Sequence, residues 1–123
     1  MTGEQWTRVL EVCYENFDGV ILWSHGTGWL PEHYYGKTRS FGQDGGKEMD
    51  IIELAKAIPF KLNYVIFDAC LMGGIEVAYE LKDSVDYVMA SPTEILSEGF
   101  PYRKMMEHIF KSSTQLQAVA QEY

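Results

Sequence analysis

The sequence predicts an α/β fold in which a mainly parallel sheet lies between two layers of helices. Three short apolar runs, at residues 20–24, 64–68 and 85–90, are rich in the β-branched and aromatic residues that buried strands use. Their hydrophobicity is continuous rather than alternating, which is typical of strands covered on both faces. Helix-length segments separate the runs, so we expect parallel neighbours joined by crossover helices, with the run at 64–68 in the middle.

Amphipathic patterns predict the helices that cover this sheet. Apolar residues spaced three and four apart predict a helix over residues 4–14, with Cys13 on its buried face. Asp50 and Glu53 fit a capping box that starts a crossover helix, and Pro59 ends that helix. The next helix is predicted from the apolar positions Ile75, Ala78, Tyr79 and Leu81.

Two further helical patterns follow the third strand. Pro101 suits the first turn of one helix, and a second pattern begins at Leu116 and is cut off at Tyr123. A three-stranded parallel sheet would also have two bare edges, which stable domains normally pair or cover. We therefore expect residues 1–123 to form an incomplete part of a larger domain.

The segment from residue 26 to residue 48 is predicted to be a long loop. Its apolar residues show no regular spacing, and its composition is dominated by Gly, Tyr, Arg, Lys and Asp. Residues 42–46 are expected to be its most flexible part. Loops of this length in compact domains are usually functional or disordered. Lys37 and Arg39 are exposed basic residues that a trypsin-like protease could cleave, although an ordinary solvated loop explains them equally well.

Composition limits the classes of function. The 123 residues, 46% of them hydrophobic, suffice for one packed domain. The net charge of −8 argues against nucleic-acid and anionic-membrane partners and suits basic peptides or metal cations. The sequence has no bilayer-length apolar run and no signal-peptide pattern at residues 1–5, so the compartment stays undetermined. Cys13 and Cys70 are too few for a disulfide framework, and no CxxC spacing indicates zinc.

Cys70 and His25 are the candidate catalytic residues. Each comes directly after an apolar run and is followed by glycines, so each should stand at the carboxyl end of a strand. Parallel α/β folds place their sites at this edge of the sheet, so the two side chains have a geometric reason to meet. A helix starting after Gly73 would favour a Cys70 thiolate. The structural alternative is that Cys70 is a small buried residue, as most free cysteines are.

Three segments in this order are distinctive. They are WSHGTGW at residues 23–29, FDACLMG at 67–73, and the stretch 91–102. Together they resemble the clostripain family of cysteine peptidases, which belongs to the caspase-like clan. His25 precedes Cys70 by 45 residues, close to the spacing of about 50 in caspases. The resemblance implies a three-layer αβα caspase-like core, incomplete over residues 1–123, from a secreted or periplasmic bacterial enzyme.

The resemblance also implies roles for individual residues. Cys70 would be the nucleophile, His25 the general base, and the backbone N–H groups of Gly26 and Cys70 the oxyanion hole. Asp68 would lie in the pocket that selects Arg or Lys before the scissile bond, because a partly desolvated carboxylate favours a cation. The structural alternative for Asp68 is a helix-capping acid. The further substrate-binding residues are expected to be Ser91 and Glu94.

Maturation, cofactors and partners follow from the same resemblance. The family matures by self-cleavage in the loop after the histidine, which makes Lys37 and Arg39 the candidates. We expect no cofactor and no resident metal, although the resemblance allows calcium. The expected partners are a peptide or protein substrate with a basic residue and the remaining segments of the parent domain.

The sequence thus predicts a cysteine endopeptidase that hydrolyses peptide bonds after Arg or Lys by a Cys-His dyad. One alternative is an acyl-transfer enzyme of another kind that uses the same dyad. A second is a truncated or degenerate relative that acts as a binding or interaction module through its sheet edges. A metal site built from His25 and Cys70, with Asp68 and His33 as further ligands, is the weakest alternative.

Overall fold

The computed structural model describes residues 2–13, 18–26, 28, 41–44 and 47–123. The elements in chain order are α1 (Gly3–Cys13), β1 (Gly19–Trp23), β2 (Phe41–Asp44), β3 (Lys47–Met49), α2 (Ile51–Ala57), β4 (Leu62–Asp68), α3 (Ile75–Leu81), β5 (Val85–Ala90), α4 (Tyr102–Ile109) and α5 (Leu116–Gln121).

The three predicted apolar runs form one sheet in the order β1, β4, β5, and both pairings are parallel. The predicted parallel sheet, with the second run in the middle, is therefore confirmed. In the first pairing, Gly19 lies opposite Tyr64 and Trp23 lies opposite Asp68, so each β1 residue meets the residue 45 positions later. This register determines which residues stand side by side where the two strands end.

Helices cover both faces of the sheet, which confirms the three-layer αβα architecture. Alternate side chains of a strand point to opposite faces, and those of β4 divide in this way between two apolar clusters. Val65 and Phe67 belong to the first cluster, together with residues of α2 and α3. Tyr64 and Ile66 belong to the second, together with residues of α4 and α5. The middle strand is thus buried from both sides and holds its carboxyl end in a fixed place.

The crossover helix α2 begins and ends where its sequence predicts. The Asp50 carboxylate accepts a hydrogen bond from the Glu53 N–H at 2.7 Å, which satisfies one of the free donors of the first turn. The helix stops before Ile58, whose backbone is extended because the residue before a proline avoids the helical region.

Two predicted helix faces are wrong although both helices are present. Cys13 is exposed, because α1 packs against α2 through its earlier turns, where the Thr7 hydroxyl donates to the Ala57 carbonyl at 2.8 Å and Leu10 is buried. In α3 the buried side chains are Val77 and Leu81. The predicted apolar positions Ile75 and Tyr79 are exposed, because residues two apart in a helix point to nearly opposite sides.

The prediction of a loop from residue 26 to residue 48 is wrong in its C-terminal part. Strands β2 and β3 pair there as an antiparallel hairpin, with Phe41 opposite Met49. Both side chains are buried, and the Phe41 ring packs edge-on against Phe67 at a centroid distance of 5.6 Å. Strands of four and three residues with a register irregularity give no alternating pattern, so the sequence offered no signal for them.

Candidate active site

The ends of β1 and β4 bring the two candidate catalytic residues to one edge of the sheet. Trp23 pairs with Asp68, and the Ser24 N–H donates to the Asp68 carbonyl at 3.3 Å, so the pairing continues one residue past β1. His25 and Cys70 each lie two residues beyond this last pair, past the ends of their strands. The spacing of 45 residues in the sequence is therefore also the register of the sheet.

Gly26 lets the turn after His25 lie directly against the turn that carries Cys70. A β-carbon at Gly26 would stand 2.5 Å from the Cys70 carbonyl oxygen and 2.9 Å from the Ala69 β-carbon. Real β-carbons do not approach other atoms this closely, so only glycine fits between the two backbones. On its other side this turn is held by the Gly42 N–H, which donates to the His25 carbonyl at 3.1 Å.

The turn after Cys70 is held in place by the loop that follows β5. Leu71 has a φ of 63°, a left-handed conformation that costs a non-glycine residue roughly 1–2 kcal/mol. Two hydrogen bonds maintain this conformation: the Leu71 N–H donates to the Thr93 carbonyl at 3.0 Å and the Gly73 N–H to the Ser91 carbonyl at 2.9 Å. The strained turn therefore presents Cys70 at the top of β4 in a defined orientation.

The Cys70 sulfur is half-buried and contacts the same loop. The Ile95 N–H donates to Sγ at 3.2 Å, and Sγ lies 3.7 Å from the Ile95 carbonyl oxygen. The His25 side chain is exposed. Among the described residues, no hydrogen bond joins it to Cys70.

His25, Cys70 and Asp68 line one cavity at this edge of the sheet, with a volume of about 430 Å³. Its size is within the usual range for ligand pockets. The wall also includes apolar side chains, of which Trp23 and Leu96 are largely exposed. The full set of lining residues is Trp23, Ser24, His25, Asp68, Ala69, Cys70, Ile95, Leu96, Ser97 and Gly99.

Asp68 is buried, with 3% of its surface exposed. Its Oδ2 accepts hydrogen bonds from the Tyr102 hydroxyl and, at 3.4 Å, from the Phe100 N–H. Burial, followed by the hydrogen bond to Asp68 and its charge, raises the pKa of Tyr102. Tyr102 and Phe100 follow the loop after β5, so Asp68 does not cap the helix that comes after its own strand. The alternative of a helix-capping acid is therefore not what the structure shows.

Ser91 and Glu94, both in the described part of the chain, do not line this cavity. Ser91 is buried, and its hydroxyl accepts from the Thr93 N–H at 3.2 Å and bonds to the Thr93 hydroxyl at 3.1 Å. Ser91 therefore shapes the loop that holds the Cys70 turn. Glu94 is exposed on that loop. Their substrate-binding roles stay predictions.

Three of the predicted site residues, Lys37, Arg39 and His33, lie outside the described residues. Within the described ranges, no three His, Cys, Asp or Glu side chains form a group that could hold a metal ion. The statement about calcium stays a prediction, and we derive no step through calcium. In the same ranges, no helix is both long and apolar enough to cross a membrane.

Tyr102 and Ile95 were not predicted as site residues. Tyr102 contacts Asp68 from 34 positions away and Ile95 contacts Cys70 from 25 positions away. Neither contact follows from periodicity or spacing. The one available signal was the resemblance of the stretch 91–102, which attached no function to either residue.

Solved structures of bacterial cysteine proteases resemble this chain over 99% of its length. A secreted C11 cysteine protease from Bacteroides thetaiotaomicron, called iotapain, is 30% identical with a TM-score of 0.84, and the chain covers 39% of it. The complex of a secreted C11 protease of that species with an irreversible peptide inhibitor is 31% identical with a TM-score of 0.85, and the chain covers 36% of it. An inactive zymogen of a C11 protease from Parabacteroides distasonis is 35% identical with a TM-score of 0.80, and the chain covers 35% of it.

This chain therefore spans less than two fifths of each of these proteins. None of the curated protein sequences compared with it matches. The family model described as the clostripain family matches residues 4–123, nearly the whole chain. On the strength of that match and of the solved structures, this chain belongs to the clostripain family of cysteine peptidases.

Proposed function

We propose that the protein is a cysteine endopeptidase that cleaves peptide bonds after Arg or Lys, with Cys70 as nucleophile and His25 as general base. The observation that carries this proposal is the shared cavity: the only histidine and the only cysteine among its described lining residues follow the ends of adjacent parallel strands. Membership of the clostripain family supports the same reaction.

The reaction follows from this arrangement in two stages. The Cys70 sulfur attacks the carbonyl carbon of the scissile bond, while His25 accepts the thiol proton and then gives it to the departing amine. Water, deprotonated by His25, then hydrolyses the thioester and restores the free thiol. Ligand-free dyads are often further apart than a hydrogen bond and tighten when substrate binds. This accounts for a Cys70 thiol that contacts Ile95 in the absence of substrate.

The negative charge that forms on the carbonyl oxygen needs hydrogen-bond donors at a fixed place. We assign this role to the backbone N–H groups of Gly26 and Cys70. The contact of the Gly26 α-carbon with the Cys70 peptide supports the assignment, because it brings the two backbone segments together without a side chain between them.

The preference for a basic residue comes from Asp68 in this proposal. The carboxylate is buried at the wall of the cavity next to Cys70. A buried carboxylate stabilises a bound ammonium or guanidinium and disfavours neutral or acidic side chains. A peptide substrate with Arg or Lys before the scissile bond would therefore place that side chain beside Asp68.

The proposal also includes maturation by self-cleavage and secretion. Self-cleavage after Lys37 or Arg39 would use the same specificity on the segment that follows His25. Secretion is proposed because two of the similar structures are of proteins described as secreted.

The test of the proposed function is turnover of a peptide with one Arg or Lys, measured on the complete protein. We expect Cys70→Ala to abolish cleavage, because no covalent route remains. Cys13→Ala is the matched control, because Cys13 is exposed on α1 and does not line the cavity, and it should cleave like the wild type. Cleavage that survives Cys70→Ala would refute the proposed mechanism.

A further inference from the structure

We infer that Tyr102 is a positioning residue of the specificity pocket: it holds one oxygen of the Asp68 carboxylate and leaves the other as the acceptor for the basic side chain of the substrate. This inference rests on the proposed function. It also predicts that the pocket binds a lysine ammonium better than the two-armed guanidinium of arginine.

The contacts of Asp68 are concentrated on one of its two oxygens. Oδ2 accepts from the Tyr102 hydroxyl and from the Phe100 N–H. Gly99 packs next to the same oxygen. A β-carbon added to Gly99 would lie 3.0 Å from Oδ2 and 3.6 Å from Oδ1. Among the described residues, both donors to the carboxylate reach Oδ2, and since Asp68 lines the cavity, Oδ1 is the oxygen that they leave for a ligand.

Tyr102 is suited to act as a permanent donor. Burial first, then the hydrogen bond and charge of Asp68, raise the pKa of its phenol, so the hydroxyl keeps its proton at neutral pH. The ring packs against the apolar cluster beneath α4 and α5. A hydroxyl fixed by such packing orients the carboxylate, which otherwise rotates about its own side chain.

The number of free oxygens distinguishes the two basic residues. An arginine guanidinium binds a carboxylate most strongly with two parallel hydrogen bonds, one to each oxygen. A lysine ammonium needs only one acceptor at short range. With Oδ2 engaged by Tyr102, the pocket offers a full contact to lysine and only half of the preferred contact to arginine.

The test is Tyr102→Phe in the complete protein, which removes the hydroxyl and keeps the ring. We measure kcat and KM on three matched peptide series with Lys, Arg or a neutral residue before the scissile bond. The value of kcat/KM for Lys should fall roughly tenfold, in line with the loss of a hydrogen bond to a charged group, and mostly through KM. Arg should lose less, because it gains access to Oδ2, and the neutral series should not change.

Tyr64→Phe is the matched control. Tyr64 belongs to the same apolar cluster, and among the described residues the hydroxyl that reaches the Asp68 carboxylate is that of Tyr102. The control therefore removes a hydroxyl from the same layer without touching the carboxylate, and all three series should behave as in the wild type. Unchanged cleavage of the neutral series by Tyr102→Phe shows that the variant is folded.

The outcomes separate this inference from the proposed function. Equal losses on the basic and neutral series, no loss at all, or an Arg loss as large as the Lys loss would overturn the role of Tyr102 while leaving the dyad intact. A wild-type protein that cleaves none of the series would overturn the proposed function itself.

Discussion

Asp68 combines a buried carboxylate with a position two residues before the proposed nucleophile. The sequence motif located it correctly beside Cys70, since a strand end fixes which residues share the edge of the sheet. Its partners could not be predicted, because the Tyr102 hydroxyl and the Phe100 N–H come from a loop and a helix start more than thirty positions away. At this scale, local pattern identifies the candidate site residues, and tertiary packing supplies the groups that orient them.

Asp68→Asn tests the proposed choice of substrate, because it keeps the shape of the side chain and removes its charge. For peptides with Arg or Lys before the scissile bond, we expect kcat/KM to fall by an amount equivalent to a loss of roughly 2 kcal/mol or more of transition-state stabilisation. The kcat/KM of neutral peptides should change little. The measurement is steady-state hydrolysis of paired basic and neutral series by both proteins. Equal losses on both series would mean that Asp68 supports the fold of the site instead of selecting the substrate.

Strands and helices with strong apolar patterns were predictable, and short elements without a pattern were not. The continuous apolar character of β4 reflects its burial on both faces, so its place at the centre of the sheet followed from composition alone. The hairpin of β2 and β3 has no such signal, and its position depends on the contact of Phe41 with Phe67. The turns after β1 and β4 were predicted as turns that meet at one edge of the sheet.

Gly26→Ala tests the packing of these two turns. The added β-carbon would meet the Cys70 carbonyl oxygen at 2.5 Å, so one of the backbones must move. A displacement of this kind at a reacting group costs about 100-fold in rate, and we expect kcat/KM to fall by about that factor. The measurement is peptide hydrolysis together with the thermal unfolding temperature.

Gly3→Ala is the control for this substitution. The added β-carbon at Gly3 would meet its nearest neighbour, the Ala57 β-carbon, at an ordinary contact distance of 3.7 Å. Gly3 is the first residue of α1, where alanine is favoured over glycine by roughly 0.5–1 kcal/mol. Activity should be unchanged and stability equal or higher. A Gly26→Ala protein as active as this control would contradict the close contact of the two turns.

At the scale of the whole molecule, the three-layer arrangement explains why the site lies where it does. Helices on both faces bury the strands and leave the carboxyl edge of the sheet as the place where side chains from β1 and β4 can meet a ligand. A net charge of −8 suits a substrate with basic residues. The layer order was predictable from the alternation of strands and helices, whereas the faces of α1 and α3 required the packed structure.

The most direct test of the account is covalent labelling of the complete protein by a peptidyl chloromethyl ketone that ends in lysine. Such a reagent reacts fast only with a nucleophile that a neighbouring base activates inside a site that binds the peptide. If Cys70 and His25 form a dyad, we expect one adduct, located on Cys70 by peptide mass spectrometry. His25→Ala should slow its formation by roughly 100-fold or more, and Cys13→Ala should leave it unchanged. Equal labelling of Cys13 and Cys70, or full labelling of Cys70 without His25, would contradict a dyad formed at the ends of these two strands.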